Sequence, residues 1–195
     1  DGLAGNIVNA ILQDEKGILW FGTSSGISRY DGETFQTLTN KDGLAGKDVS
    51  SLLQAPNGDI WISTLDGGVT RFREPVHVPP PVFINSVVAD QRYDEITELS
   101  IPSGVVIVAF EFSAISFKTR PEKTVYRYRL KGSGQEWQTT NTPRVEYQSI
   151  PRGSYAFEVI AVDRDLVYSE TPATVALTVH VPYVRVGLVS ALGVA

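Results

Sequence analysis

The side chains that could carry chemistry are few and scattered in this chain of 195 residues. The absence of cysteine excludes cysteine nucleophiles, disulfides and thiolate zinc sites. His77 and His180 have no second ligand at metal-site spacing, so we expect surface or linker roles for both. Residues 22–26 (GTSSG) have the Gly-x-Ser-x-Gly spacing but lie between two predicted strands, so they form no nucleophile elbow, which needs a strand-to-helix turn. Gly67-Gly68 opens no helix, as a dinucleotide-binding loop must. We therefore predict no catalytic centre, no metal site and no cofactor in this segment.

Acidic residues offer one candidate cation site, Asp163-Arg164-Asp165, because paired carboxylates are ligands that hard cations prefer. This tripeptide follows a predicted strand, where aspartate commonly shapes a turn, and the turn is our preferred interpretation. Asp14, Glu15 and Asp59 adjoin predicted hairpin turns, and we expect all three to be solvated.

Tryptophans and arginines are the remaining candidates for ligand binding. Trp20 and Trp61 could stack against sugars, but both lie in apolar runs, which favours packing in the core. Trp137 lies among polar residues, and its exposure is left open. Arg29 and Arg71 each lie near the end of a strand-like segment. There they could reach a ligand or partner, or form a repeated salt bridge between neighbouring units.

These tryptophans and arginines belong to an internal repeat. The segment Gly17–Tyr30 (GILWFGTSSGISRY) recurs as Gly58–Phe72 (GDIWISTLDGGVTRF), and DGLAG precedes each copy at residues 1–5 and 42–46. Short strands with one tryptophan per unit at this period are the signature of β-propeller blades. Because the second copy is incomplete, we predict fewer than two full blades here and further blades upstream in a longer parent protein.

Each unit predicts short strands joined by tight turns. The apolar run Ile18–Phe21 indicates a strand covered on both faces. Small residues follow it in both copies, at Gly22-Thr23 and Ser63-Thr64, and we expect them to lie where the propeller axis is crowded. The strands predicted in the first unit are Ile7–Gln13, Ile18–Thr23, Ile27–Tyr30 and Phe35–Thr39.

A proline-rich segment, residues 76–81, separates the repeats from the rest of the chain. Its three successive prolines cannot donate to a sheet and favour a stiff, extended linker. We therefore predict two blades at 1–75, this linker, a second all-β domain at 82–182 and an apolar tail at 183–195. The tail holds 13 residues, and a membrane span needs about 20, so we interpret it as the start of a transmembrane helix or as a last strand.

The second domain has the size and strand density of an immunoglobulin- or fibronectin III-like β-sandwich. Alternation predicts that Tyr126 and Tyr128 face the core while Arg127 and Arg129 face outward. Tyr155 is predicted to form a tyrosine corner, with its hydroxyl bonded to nearby backbone. The strands predicted here are Val82–Ala89, Val105–Phe112, Thr124–Lys131, Arg144–Gln148, Tyr155–Val162 and Thr174–Val181.

These motifs, in this order, resemble a known sensor architecture. The units resemble the two-component regulator propeller repeat at Trp20, Gly22, Gly26 and Arg29 in the first copy and at Trp61, Gly67 and Arg71 in the second. The later segment resembles the three-tyrosine (Y_Y_Y) domain that follows such propellers, at Tyr126, Tyr128, Trp137, Gly153 and Tyr155. Two departures are Ser63, where the first copy has Gly22, and one additional residue near Gly68.

The resemblance implies a non-enzymatic, periplasmic sensor segment of an inner-membrane signalling protein, often a histidine kinase or hybrid two-component system. It implies that the blades help to recognise a small molecule or an oligosaccharide. It also implies that the sandwich relays the signal to a transmembrane helix after Tyr183, and that the parent is a homodimer. A net charge of −5 without a basic stripe argues against nucleic acid. The alternative is a secreted or surface binding protein of the same design without signalling output.

Overall fold

The computed structural model describes residues 2–181, and in that range nearly all the regular secondary structure is β-strand, which confirms the predicted fold class. Its only helical elements there are two short 3₁₀ turns, Asn40–Asp42 and Pro121–Lys123. No helix within residues 2–181 has the length and hydrophobicity to cross a membrane. The tail predicted at 183–195 lies outside the described residues.

Blade one is a four-stranded antiparallel meander in the order β1-β2-β3-β4. Its strands are β1 (Val8–Gln13), β2 (Leu19–Thr23), β3 (Gly26–Tyr30) and β4 (Phe35–Leu38). All four predicted strands are confirmed to within one residue at each end. The β1–β2 and β3–β4 hairpins lie at the same end of this meander, because alternate connections of an antiparallel sheet share an end.

Blade two contains three strands among the described residues, in the order β5-β6-β7. They are β5 (Val49–Gln54), β6 (Ile60–Thr64) and β7 (Gly68–Phe72). After β7 the chain enters the proline-rich linker without regular structure. The blade is therefore incomplete, as the truncated second copy of the repeat predicts.

The DGLAG motif has the same contact in both blades. Ala4 N donates to the Ser28 hydroxyl at 2.7 Å, and Ala45 N donates to the Thr70 hydroxyl at 2.8 Å. Each motif thus fastens the segment that leads into a blade to the third strand of that blade. This contact explains why a hydroxyl residue stands at the matching place in both copies.

The two blades pack through an apolar core that contains Trp20, which is 2% exposed. The Trp20 ring meets Phe72 of blade two edge-on, with ring centroids 5.1 Å apart. Core packing is therefore confirmed for Trp20. It is wrong for Trp61, which is 41% exposed because no further blade covers its side of blade two within residues 2–181.

The second domain is a β-sandwich of two sheets with strand orders β10-β16-β15-β12-β13 and β14-β11-β8-β9. Its strands are β8 (Val82–Val88), β9 (Arg92–Asp94), β10 (Glu98–Pro102), β11 (Ile107–Ala114), β12 (Val125–Lys131), β13 (Gln138–Thr140), β14 (Arg144–Gln148), β15 (Gly153–Val162) and β16 (Ala173–His180). The six predicted strands are present. The short strands β9, β10 and β13 were not predicted, and β10 pairs with β16 in parallel.

The sandwich core is aromatic. Phe110 and Phe157, from opposite sheets, stack with ring centroids 4.0 Å apart and an angle of 8° between the rings. Tyr126 is 5% exposed and Tyr128 packs against the same cluster, so the predicted inward direction of both tyrosines is confirmed. Tyr155 donates its hydroxyl proton to the Pro151 carbonyl at 3.1 Å, which confirms the tyrosine corner. A Cβ at Gly153 would approach this hydroxyl to 3.1 Å.

Candidate functional site

Blade one meets the sandwich at residues 162–169, the last residue of β15 and the first part of the connection to β16, which we call the docking loop. At the start of this loop, the Gln36 side-chain amide on β4 donates to the Val162 carbonyl at 3.1 Å. Gln36 is 3% exposed. Because an unpaired buried amide is costly, this bond fixes the position of β4 against the sandwich.

At the far end of the docking loop, Tyr168 reaches the β3–β4 hairpin of blade one. Its hydroxyl contacts the Asp31 carboxylate at 2.5 Å and the Thr34 hydroxyl at 3.1 Å. Burial, together with the hydrogen bond to Asp31, raises the pKa of Tyr168, so the phenol stays protonated and can act as the donor. Both ends of the loop are therefore bonded to the same blade.

Between these two ends, the docking loop receives a buried cation, Arg29 of β3, which is 3% exposed. Its guanidinium carbon lies 5.1 Å from the ring centres of both Trp20 and Phe72. The guanidinium donates to the Arg164 carbonyl and lies 3.8 Å from the Asp165 carboxylate. Burial lowers the pKa of Arg29 to about 10, and the nearby carboxylate opposes this shift. Arg29 thus contacts blade one, blade two and the sandwich together.

The second repeated arginine has a different environment. Arg71 is exposed and pairs with Asp59 of its own blade at 3.6 Å, and Arg73 lies 3.3 Å from the same carboxylate. Of the two alternatives left open for these arginines, the repeated salt bridge between blades is therefore wrong. Arg29 bonds to the docking loop of the sandwich, whereas Arg71 pairs with a carboxylate of its own blade.

Two of the acidic residues expected to be solvated are not. Asp59 is 5% exposed, because two arginines cover it. Asp14 is half-buried and accepts a hydrogen bond from the Trp20 indole N–H at 2.8 Å. The expectation of solvation is thus wrong for both, and it is confirmed for Glu15, which is exposed.

The Asp163-Arg164-Asp165 tripeptide forms the tip of the docking loop. The Asp163 carboxylate accepts hydrogen bonds from the backbone N–H groups of Asp165, at 2.8 Å, and Val167, at 2.9 Å. Burial raises the pKa of Asp163. Within residues 2–181 no cluster of three or more acidic or histidine side chains has metal-binding geometry. These bonds favour the turn interpretation of this tripeptide over the cation site.

Trp137 supports a further contact between the sandwich and blade one. It is half-buried, with the Arg129 guanidinium carbon 4.5 Å and that of Arg127 5.8 Å from its ring centre. Arg127 also forms an ion pair with Glu33 of blade one. Both arginines lie on the outer face of the sheet, as predicted, and the tryptophan covers them instead of standing open as a stacking platform.

A cleft of about 530 Å³ opens beside this junction, and we call it the interblade cleft. Its lining comes from the β1–β2 hairpin, both blades, the linker and the docking loop. Arg29 and Trp20 belong to this lining, as does His77, whose ring nitrogen lies 2.9 Å from Glu74. His180 lies away from it on β16, with Nδ1 2.7 Å from the Val181 carbonyl.

Sequence reasoning did not find Gln36, Tyr168 or Asp31 as junction residues. Gln36 and Val162 are 126 residues apart in the chain. No local pattern marks such a pair, and only the packing of the two domains brings them together. The glycines of the repeat have structural roles: a Cβ at Gly22, Gly26 or Gly67 would come within 2.6 Å of a neighbouring atom.

Comparisons with known proteins agree with this architecture. The family described as two component regulator propeller matches residues 2–25 and 43–66, and the family described as Y_Y_Y domain matches residues 118–180. A search of curated proteins found no significant match.

Solved structures give a similar result. The extracellular domain assigned to a hybrid two component system of B. thetaiotaomicron is 23% identical, with a TM-score of 0.58, over 91% of this chain and 27% of that one. An extracellular domain assigned to a one component system of the same organism is 19% identical, with a TM-score of 0.46, over 90% of this chain and 30% of that one. The fibronectin(III)-like modules of Clostridium thermocellum CbhA are 16% identical, with a TM-score of 0.37, over 91% of this chain and 90% of that one. The first of these likenesses shows the fold, and this chain spans less than a third of the first two proteins.

Proposed function

Because the chain carries two-component regulator propeller repeats followed by a Y_Y_Y domain, we propose that it is a sensor segment of a membrane-bound signalling protein. In this role it is not itself an enzyme. Its blades join further blades of the parent protein to recognise a ligand, a small molecule or an oligosaccharide. The sandwich relays the signal toward a transmembrane helix in the segment after Tyr183.

An extracytoplasmic location is part of this proposal. It is supported by the structural likeness to a domain described as extracellular. We also propose that the parent protein works as a homodimer, because relative movement of two sandwiches is a simple way to transmit a signal across a membrane.

The observation that carries the proposal is the set of buried polar contacts between blade one and the docking loop. Gln36, Arg29 and Tyr168 join the two domains at three successive points of this loop. Three residues, 170–172, separate the loop from β16, the last strand of the sandwich. A movement of blade one therefore acts on β16 through a short covalent connection.

The physical mechanism is a population shift between two arrangements of this junction. A ligand changes the equilibrium only by as much as its affinity differs between the two arrangements. Buried hydrogen bonds make such a junction discrete, because a partly broken set leaves costly unpaired groups. Ligand binding at the blades would favour one arrangement, and β16 would transmit its position.

The relay can be tested in the full-length protein with the double variant Gln36→Leu/Tyr168→Phe. The change removes one hydrogen-bonding side chain at each end of the docking loop and leaves all charges in place. We expect the ratio of output under inducing conditions to output under non-inducing conditions to fall several-fold. The readout is the phosphorylated form of the protein or a reporter of its target gene.

Tyr93→Phe is the matched control, since Tyr93 makes a similar hydrogen bond to Asp90, at 2.9 Å, away from the junction. We expect this variant to keep the output ratio of the unmodified protein. An unchanged ratio in the double variant would reject the relay. A parent protein with no output at all would support a surface binding protein instead.

A further inference from the structure

Two residues that line the interblade cleft each carry a buried polar atom without a hydrogen-bond partner among the described residues. These are Nε of Arg29 and Oδ2 of Asp165, whose side chains are 4% and 3% exposed and both line the cleft. Lys118 Nζ lies 3.9 Å from this carboxylate oxygen, beyond hydrogen-bonding distance. Unpaired buried groups of this kind are rare and cost free energy. The pair therefore indicates a missing polar partner.

The two atoms differ in chemistry. Arg29 offers an N–H donor on a cation, and Asp165 offers an acceptor on an anion. Their side chains lie 3.8 Å apart at the nearest nitrogen and oxygen. A ligand that satisfies both must present an acceptor and a donor close together, and charge-assisted hydrogen bonds would make opposite charges the strongest match.

Charges at the rim of the cleft are mostly paired with each other. Lys16 pairs with Glu74, and Arg73 pairs with Asp59. The lining contains five carboxylates, on Asp14, Glu15, Asp59, Glu74 and Asp165, and three permanent cations, on Lys16, Arg29 and Arg73. This excess of negative charge disfavours an anion, and the buried guanidinium disfavours a simple cation.

The rest of the wall is apolar. Ile18, Ile60, Phe72 and Leu166 come from both blades and from the docking loop. The volume of about 530 Å³ is within the usual range for small-molecule sites. The cleft thus combines one paired polar position with room for an apolar group.

We propose that the interblade cleft binds a small zwitterion, an α-amino acid with an apolar side chain. Its carboxylate accepts from Nε of Arg29, its ammonium donates to Oδ2 of Asp165, and its side chain packs against Phe72 and Ile18. Since both polar atoms are covered in this state, entry requires the docking loop to move. Binding would have a signalling consequence only if the proposed function holds, because such a ligand would contact both blades and the docking loop that leads to β16.

The test is isothermal titration calorimetry of the full-length protein with L-leucine and L-phenylalanine. N-acetyl-L-leucine, which lacks the ammonium, and L-leucinamide, which lacks the carboxylate, are the matched probes. We expect saturable binding of at least one free amino acid and weaker binding of both capped forms, by roughly ten- to a hundredfold for each lost charged hydrogen bond.

Two variants locate the site. Asp165→Asn removes the anionic partner and should weaken binding of the free amino acid by roughly tenfold or more. Leu166→Trp fills the cleft without removing a charge and should abolish binding, which keeps the test valid if the first variant does not fold. Tyr93→Phe, which lies outside the cleft, should bind as the unmodified protein does.

Several results would overturn the inference: no saturable binding of either free amino acid, equal binding of the capped forms, or unchanged binding in both cleft variants. The inference would also be overturned if the protein binds no amino acid and a water molecule bridges Arg29 and Asp165. The measurement needs no signalling output. An unchanged output ratio in the Gln36→Leu/Tyr168→Phe variant, with amino-acid binding intact, would therefore count against the proposed function alone. Absence of amino-acid binding, with a fallen output ratio in that variant, would count against the cleft alone.

Discussion

Gly22 provides a quantitative test of how closely the two blades pack. A Cβ added at this position would lie 2.6 Å from a methyl carbon of Val49 and 3.4 Å from the Cβ of Ala10. Val49 is fully buried, so its side chain has little room to move away. Overpacking of this kind costs about 1–3 kcal/mol. We expect Gly22→Ala to lower the free energy of unfolding by that amount, measured by urea denaturation.

The cause of this loss can be isolated with a double-mutant cycle. Val49→Ala removes the methyl group that an alanine at position 22 would meet, and by itself it costs about 2 kcal/mol of lost burial and cavity formation. If the clash is real, the new methyl group at position 22 fills part of that cavity. The double variant should then be more stable than the sum of the single losses predicts, by about 0.5–3 kcal/mol.

The repeat supplies an internal control for this cycle. Ser63 stands in blade two where blade one has Gly22, and its side chain is half-buried. We expect Ser63→Ala to change the stability by no more than about 0.5 kcal/mol. Strictly additive losses for Gly22→Ala and Val49→Ala would refute the packing argument, as would a loss for Ser63→Ala as large as that for Gly22→Ala.

Three further changes test the sandwich and the junction. Tyr155→Phe removes one hydrogen bond to a backbone carbonyl and should cost about 1 kcal/mol in urea denaturation, where no change would contradict the tyrosine corner. Phe157→Ala empties a fully buried position and should lower the free energy of unfolding by about 3–5 kcal/mol in the same assay. A loss below about 1 kcal/mol would contradict the packing of Phe157 in the core. Burial alone would raise the pKa of Asp42, but hydrogen bonds from Thr39 and Arg120 lower it below the ordinary value of 3.8. A carboxylate whose pKa is lower in the folded state stabilises the fold fully at a pH above its pKa in the unfolded state. This stabilisation is lost as the pH falls through its pKa in the folded state. The melting temperatures of the protein and of Asp42→Asn should therefore converge between about pH 5 and about pH 2, and a constant difference would contradict this sign.

Local signals in the sequence account for most of the fold. The turn before Tyr155 and the alternation around Tyr126 need only a few neighbouring residues, so both could be predicted. The three-residue strands β9 and β13 carry too few positions for a periodic pattern, and the five-residue strand β10 was not predicted either.

Contacts between blades and between domains have no local pattern in the sequence that could predict them. Trp20 and Trp61 have nearly the same local sequence, yet one is 2% and the other 41% exposed, because burial depends on the neighbouring blade. Arg29 and Arg71 likewise occupy equivalent positions, but Arg29 reaches Asp165 of the docking loop whereas Arg71 pairs with Asp59 of its own blade. The candidate site is a product of this packing, so its residues could not be assigned from the chain alone.

The position of β16 has a mechanical consequence. This strand is held on one side by β10, which runs in the same direction, and on the other by β15, which runs in the opposite direction. A pull along β16 from residue 181 would load both rows of hydrogen bonds in shear, so that many would have to break together. A strand held in this way cannot slide past its neighbours, so a displacement at the docking loop would move β16 together with its sheet.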